Sequence, residues 1–202
     1  MMAALHPGAF YHVEALEGPR YRDFFSRLIR PEDLRDDRLE GVETLLVPCR
    51  TNPARLAPRR PVLERFLARG GTLVAMGETF PDLWLPGIAF HPVPTNWWWW
   101  LAPGADLGVR VLRPEHPLLR GLSKSDVCWH LHGWFDPPPG ADVLLADGEG
   151  RALLFVDSVN YGHGRLIATT LDPLYHHGCH FMPATTRFLD RFLPNLEAWG
   201  RR

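Results

Sequence analysis

The chain has 202 residues, 46% of them hydrophobic, which is enough for one sizeable core. Collagen-like, disordered and single-helix architectures are thereby excluded. With 22 Lys and Arg against 23 Asp and Glu the charge is balanced, so no basic block marks a nucleic-acid partner. No window approaches the roughly 18 apolar residues of a membrane span, and MMAALHPGAFYHVE lacks the basic and apolar regions of a secretory leader. Cys49, Cys128 and Cys179 are too widely spaced for a disulfide framework or a CxxC zinc site. A cytoplasmic protein with no membrane partner is expected. The unusual features are 8 Trp and 10 His, with four of the Trp consecutive at Trp97 to Trp100.

In chain order, an apolar stretch around Phe10 to Ala15 predicts a strand. Tyr21, Phe24, Phe25 and Leu28 then predict a helix over Arg20 to Ile29. Val42 to Pro48 is an apolar run too short for a helix and ended by proline, hence a buried strand. Arg60 to Arg69 places Val62, Leu63, Phe66 and Leu67 on one face, with Gly70-Gly71 as its C-cap. The strand Thr72 to Met76 follows at once, and the alternation predicts βαβ crossovers and a parallel sheet. Further strands are expected at Ile88 to Val93, Trp97 to Leu101, Leu107 to Leu112, Val127 to Phe135 and Val143 to Ala146. Ala152 to Val156 and Arg165 to Leu171 flank a turn-rich connection typical of a hairpin. An amphipathic helix from about Pro183 to Leu196 closes the chain, carrying Phe188, Leu189, Phe192 and Leu193 toward the sheet. With no internal repeat or linker, residues 1–202 read as a single domain.

Three stretches carry a resemblance. Leu45-Leu-Val-Pro-Cys49 is followed by a helix and a Gly-Gly strand ending at Val74; His116-Pro-Leu-Leu-Arg-Gly-Leu122 is an HPxxxGL element; Tyr161-Gly-His-Gly-Arg-Leu-Ile-Ala-Thr-Thr-Leu171 is a late GxGR hairpin. In this order they resemble the class I glutamine-amidotransferase-like superfamily, in its ThuA-like branch. The resemblance implies an α/β fold: a three-layer flavodoxin-like sandwich with a mainly parallel central sheet, a β-rich insertion and a C-terminal β-hairpin plus helix. Amidotransferases of this fold place a cysteine nucleophile on a sharp strand-to-helix turn. That turn here is Ala75-Met76-Gly77-Glu78-Thr79, and the family's His-Pro-Glu element corresponds to Asp172-Pro173-Leu174. Nucleophile, base and orienting acid are all missing, so glutaminase activity is not expected. Cys49 follows a different strand.

In such a sheet, ligands bind beyond the carboxyl ends of the strands, which would gather Cys49 to Asn52, Gly77 to Thr79 and Asp172 to His177. If Val127 to Phe135 is a strand, Val127, Trp129, Leu131 and Phe135 share one face, and Cys128, His130, His132 and Trp134 the other. His-x-His on a strand offers two imidazoles to one metal. His130, His132, Asp172 and His176 are accordingly the candidate ligands for a divalent transition metal holding an activated water. The alternative is an organic-ligand pocket lined by Cys49, Asn52, Asn96, Trp98, His130, His132, Tyr175 and His177 and taking a small polar molecule. Histidines that merely bond backbone and solvent are a third reading. Glu78, Asp172 and His176 are the candidate catalytic groups, Glu78 as general acid or base unless it only answers a helix dipole. As a strand, Trp97 to Trp100 would send two indoles to each face: core, a sugar-stacking platform, or the edge of a homo-oligomer or protein complex. ThuA-like proteins are tied to disaccharide metabolism, which through the resemblance implies a sugar derivative. Metal-dependent hydrolase or isomerase chemistry and a non-catalytic scaffold stay open beside the pocket.

Overall fold

Short apolar runs separated by turns assemble into one ten-stranded sheet, described for residues 1–200 by a computed structural model. β1 (Met2–Leu5), β2 (Arg27–Ile29), β3 (Thr44–Val47), β4 (Thr72–Met76) and β10 (Arg165–Thr169) lie side by side in the order β2-β1-β3-β4-β10, every pair parallel. That is the 2-1-3-4-5 order of flavodoxin-like folds. Beyond β10 the sheet turns antiparallel through β9 (Ala152–Asp157), β7 (Gly133–Asp136) and β5 (Ala89–Pro92). β8 (Asp142–Ala146) also pairs with β9, and carries the two-residue β6 (Arg110–Val111). The parallel block and the β9–β10 hairpin are continuous, and the segments from β5 to β8 form the β-rich insertion between β4 and β9.

Both faces are covered, because strands buried on two sides must alternate their side chains between two cores. Met2, Ala4, Leu46, Val74, Met76 and Ile167 point into one core with α1 (Phe10–Glu17), α4 (Pro173–Gly178) and α5 (Pro183–Gly200). Ala3, Leu5, Leu45, Val47, Leu73, Ala75 and Leu166 point into the other, under α3 (Arg60–Ala68) and the short α2 (Pro53–Leu56). Phe188, Leu189, Phe192, Leu193 and Leu196 form the buried stripe of α5, as the periodicity predicts. The expected strands at 42–48, 72–76, 88–93 and 143–146, the helix at 60–69 and the hairpin are all present. Among the described residues no helix is long and apolar enough to cross a membrane.

Five segments differ from expectation. Phe10 to Ala15 is not a strand but most of α1, whose buried residues His12, Ala15 and Leu16 fall at helical spacing behind Pro7-Gly8. The helix expected over Arg20 to Ile29 is a single 3-10 turn at Arg22–Phe24 followed by β2, since pairing with β1 outweighs the local pattern. Leu107 to Leu112 shrinks to β6. Trp97 to Leu101 is an irregular turn ending in one 3-10 turn, not a strand. Val127 to Phe135 becomes strand only at Gly133, where a Cβ would lie 2.5 Å from the His91 carbonyl oxygen. The two-face division of residues 127–132 therefore does not hold, and His130 and His132 are both buried.

Candidate functional site

The carboxyl ends of β3, β4 and β10 meet at one point. β3 stops at Pro48, and the next side chain, Cys49, is fully buried; its sulfur accepts the Tyr175 backbone N–H at 3.2 Å, and His12 Nε2 donates to its carbonyl at 2.9 Å. Arg50 adopts a left-handed backbone, φ 62°. Its guanidinium lies 3.8 Å from the Tyr175 ring centroid, 3.2 Å from Glu78 Oε2 and 3.8 Å from Asp172 Oδ2. β4 ends at Met76, and at the next residue, Gly77, φ 60°, a Cβ would sit 2.6 Å from the Cys49 Cβ and 2.9 Å from the Asp172 Cβ. Only glycine fits at Gly77; of the two positions, Met76 and Gly77, at which the resemblance would seat a cysteine, this one has no space for a side chain.

Asp172 follows β10 and is fully buried, and His176 sits one turn into α4, also fully buried. Residues 127–132 of the insertion fold over them. Trp129 Nε1 donates to Asp172 Oδ1 at 3.1 Å, and Trp99 Nε1 donates to the Trp129 carbonyl, tying the tryptophan run to the segment. His132 Nε2 lies 3.1 Å from Asp172 Oδ2, and His176 Nε2 lies 3.2 Å from Asp172 Oδ1. Neither approach is aligned as a hydrogen bond: His132 Nε2, Asp172 Oδ2 and both His176 nitrogens are buried without a hydrogen-bonding partner. On the far edge of the His132 ring, Nδ1 lies 3.0 Å from Thr95 Oγ1 and 3.7 Å from Glu78 Oε1.

Burial raises the Asp172 pKa, but the adjacent His132 and His176 outweigh it and hold the carboxyl well below the usual range, so it is ionised. Burial, with His176 as a like-charge neighbour, pushes His130 down to about 4, leaving it neutral near pH 7. The Cys49 thiol is raised far above its normal value, first by burial and then by the Asp172 charge, so it is not a thiolate nucleophile.

Of the sequence candidates, Glu78, His130, His132, Asp172, Tyr175 and His176 gather here, with Cys49 packed beneath them. Four do otherwise. Asn52 is exposed and caps α2 by accepting the Ala54 N–H. Asn96 is exposed and accepts the Trp98 N–H, shaping the turn. Trp98 is exposed and its ring neighbours Trp100; the indole against the histidines is Trp97, 4.6 Å from the His130 ring and 5.5 Å from His132. His177 points away from the site, with Nδ1 on Thr186 Oγ1 and its ring against Tyr21. Arg50, Thr95, Trp97 and Trp129 complete the site; sequence reasoning reaches Arg50 and Trp97 only as members of the segments 49–52 and 97–100, and does not select Thr95 or Trp129 as site residues. Arg50 alone carries a signal, being the first charged residue after a buried strand; the others are placed by the irregular path of the insertion.

A scan of protein-family models and a search of curated protein sequences find no match to the chain. Solved structures do match. A GMP synthase-like protein from Thermoplasma acidophilum superposes with TM-score 0.61 at 9% identity, covering 98% of this chain and 95% of that one. A glutamine amidotransferase from Thermotoga maritima gives 0.57 at 10% identity over 98% of this chain and 84% of its own. A ThuA-like protein from Bacteroides uniformis gives 0.54 at 12% identity over 95% and 89%. With its flavodoxin-like strand order, inserted β-segments and closing hairpin and helix, this chain has the fold of the class I glutamine-amidotransferase-like and ThuA-like proteins.

Proposed function

We propose that the chain binds a small, neutral, hydroxyl-bearing ligand, of the sugar-derivative class, at the carboxyl ends of β3, β4 and β10, and does not hydrolyse glutamine. The observation that carries this reading is the pairing of partly exposed polar groups with a half-exposed indole around a buried carboxylate. Glu78 and Arg50 have side chains 31% and 28% exposed, and Trp97 is 42% exposed above the imidazoles. Glu78 supplies acceptors for hydroxyl protons, Arg50 donors for hydroxyl oxygens, and the indole an apolar face for a ring. The carboxylates of Glu78 and Asp172 beside the single guanidinium of Arg50 suit a ligand that both donates and accepts hydrogen bonds, as a polyol does. The missing side chain at Gly77 supports the loss of glutaminase chemistry, which needs a nucleophile on that turn.

Titration of indole emission with neutral mono- and disaccharides, against sugar acids as a contrast, tests the reading. Saturation in the millimolar range or tighter is expected for neutral sugars, weakened in Trp97→Ala and Glu78→Gln. A flat response to every neutral sugar, or equal binding by both variants, overturns it. A second reading, a protein partner, is favoured by the 66%, 57% and 61% exposure of Trp98, Trp100 and Leu101 on one turn. Light scattering that finds a monomer at all concentrations, with no association lost in Trp98→Ser, removes the self-associating form of that reading.

A further inference from the structure

We propose that His132, Asp172 and His176 form a binding site for one divalent transition-metal ion of the zinc class. The inference rests on the ligand site above and deepens it, since an ion there would face the same opening as Glu78 and Arg50. Among the described residues, these three bring their ligand atoms within 4.8 Å of one another, and all three side chains are buried. The spacings of 3.1 and 3.2 Å between imidazole nitrogen and carboxylate oxygen approach the ligand-to-ligand separation, about 3.4 Å, that tetrahedral bonds of about 2.1 Å require. Two imidazoles and one carboxylate form the three-ligand set that leaves a metal position open to water or substrate.

The buried polar atoms point the same way. His132 Nε2 faces Asp172 Oδ2 and His176 Nε2 faces Asp172 Oδ1, and in neither pair is a hydrogen bond aligned; a cation held by all three groups would satisfy these buried atoms at once. The far side of the His132 ring explains which nitrogen is free. Nδ1 faces two oxygens, Thr95 Oγ1 and Glu78 Oε1, and the Thr95 hydroxyl has the Leu131 carbonyl at 3.4 Å as its own acceptor. These two oxygens suit a proton on Nδ1, the tautomer that would free the Nε2 lone pair for an ion beside Asp172. An outer partner that fixes the tautomer of a ligating histidine is the usual support of a metal site. Trp129 does the same for the carboxylate, holding Oδ1 at 3.1 Å. His130, grouped with these ligands on sequence, lies outside the set; its ring is 6.4 Å from His132 and 5.2 Å from His176.

The test is calorimetric titration of the chelator-stripped full chain with Zn2+, and with Co2+ read also by its visible ligand-field bands. One ion per chain is expected, with affinity lowered at least about tenfold in His132→Ala and in His176→Ala and unchanged in His177→Ala. Because Asp172 is buried, Asp172→Asn is read alongside circular dichroism, and His132→Gln serves as the milder replacement. No saturable binding to the folded chain, or binding that survives both His132→Ala and His176→Ala, overturns the proposal. Repeating the sugar titration on stripped and loaded protein separates the two readings. Sugar binding without metal binding leaves the pocket and removes the ion, and metal binding without sugar binding does the reverse.

Discussion

Gly77→Ala is the most direct test of how the site is built. Two penalties add at this residue. A left-handed backbone, φ 60°, costs a residue with a Cβ about 1–2 kcal/mol. The new methyl would also lie 2.6 Å from the Cys49 Cβ and 2.9 Å from the Asp172 Cβ, neither of which can rotate away, because a Cβ is fixed by its backbone. Overpacking of this kind costs about 1–3 kcal/mol, so the total is about 2–5 kcal/mol. For a chain of this length that lowers Tm by roughly 4–20 °C. Gly104→Ala is the control: its φ is 69° but its Cβ would meet nothing within 4 Å, so it shows the backbone cost alone. Urea unfolding followed by circular dichroism should place Gly77→Ala below Gly104→Ala by the packing difference, about 1–3 kcal/mol. Equal destabilisation of the two variants would refute the claim that β3, β4 and β10 close on one another around this glycine.

His12 should make folding sensitive to acid. It is buried and donates to the Cys49 carbonyl, and burial pushes its pKa from 6.5 down to about 4. The folded state keeps it neutral while the unfolded state takes up a proton, so its contribution is full above pH 6.5 and is lost as pH falls from 6.5 toward 4, up to about 3 kcal/mol. Denaturation across that range should show a shallower slope in His12→Gln, and parallel curves would exclude the assignment. Cysteine labelling offers a third check. In native protein, iodoacetamide followed by peptide mass spectrometry should modify the half-buried Cys128 and Cys179 while Cys49 reacts only after unfolding; preferential labelling of Cys49 would contradict its inert role.

Three of the five parallel strands, β3, β4 and β10, are legible from local pattern alone. Thr72 to Met76 and Arg60 to Ala68 announce themselves because a fully buried strand must be a short apolar run and a one-sided helix must repeat near every fourth residue. β1 escapes such a reading since four residues, two of them alanine, carry almost no periodic signal, and its existence depends on β2 and β3 on either side. The site divides in the same way. Cys49, Glu78, Asp172 and His176 are recognisable because strand ends in such a sheet converge, which follows from topology. His130 and His132 are picked out by a reason that does not hold, alternation along a strand, when they lie in irregular chain.

What the residues by themselves determine, then, is three of the parallel strands, the helices α3 and α5, the β9–β10 hairpin, and the enrichment of His and Trp after the fourth strand. Which of those side chains meet is decided by tertiary structure. Arg50 reaches Glu78 and Tyr175, Trp97 rather than Trp98 covers the imidazoles, and His176 turns inward while His177 turns away. Each outcome depends on the path of the insertion across the sheet or on the rotation of a short helix, and both are set by long-range packing that leaves no period in the sequence.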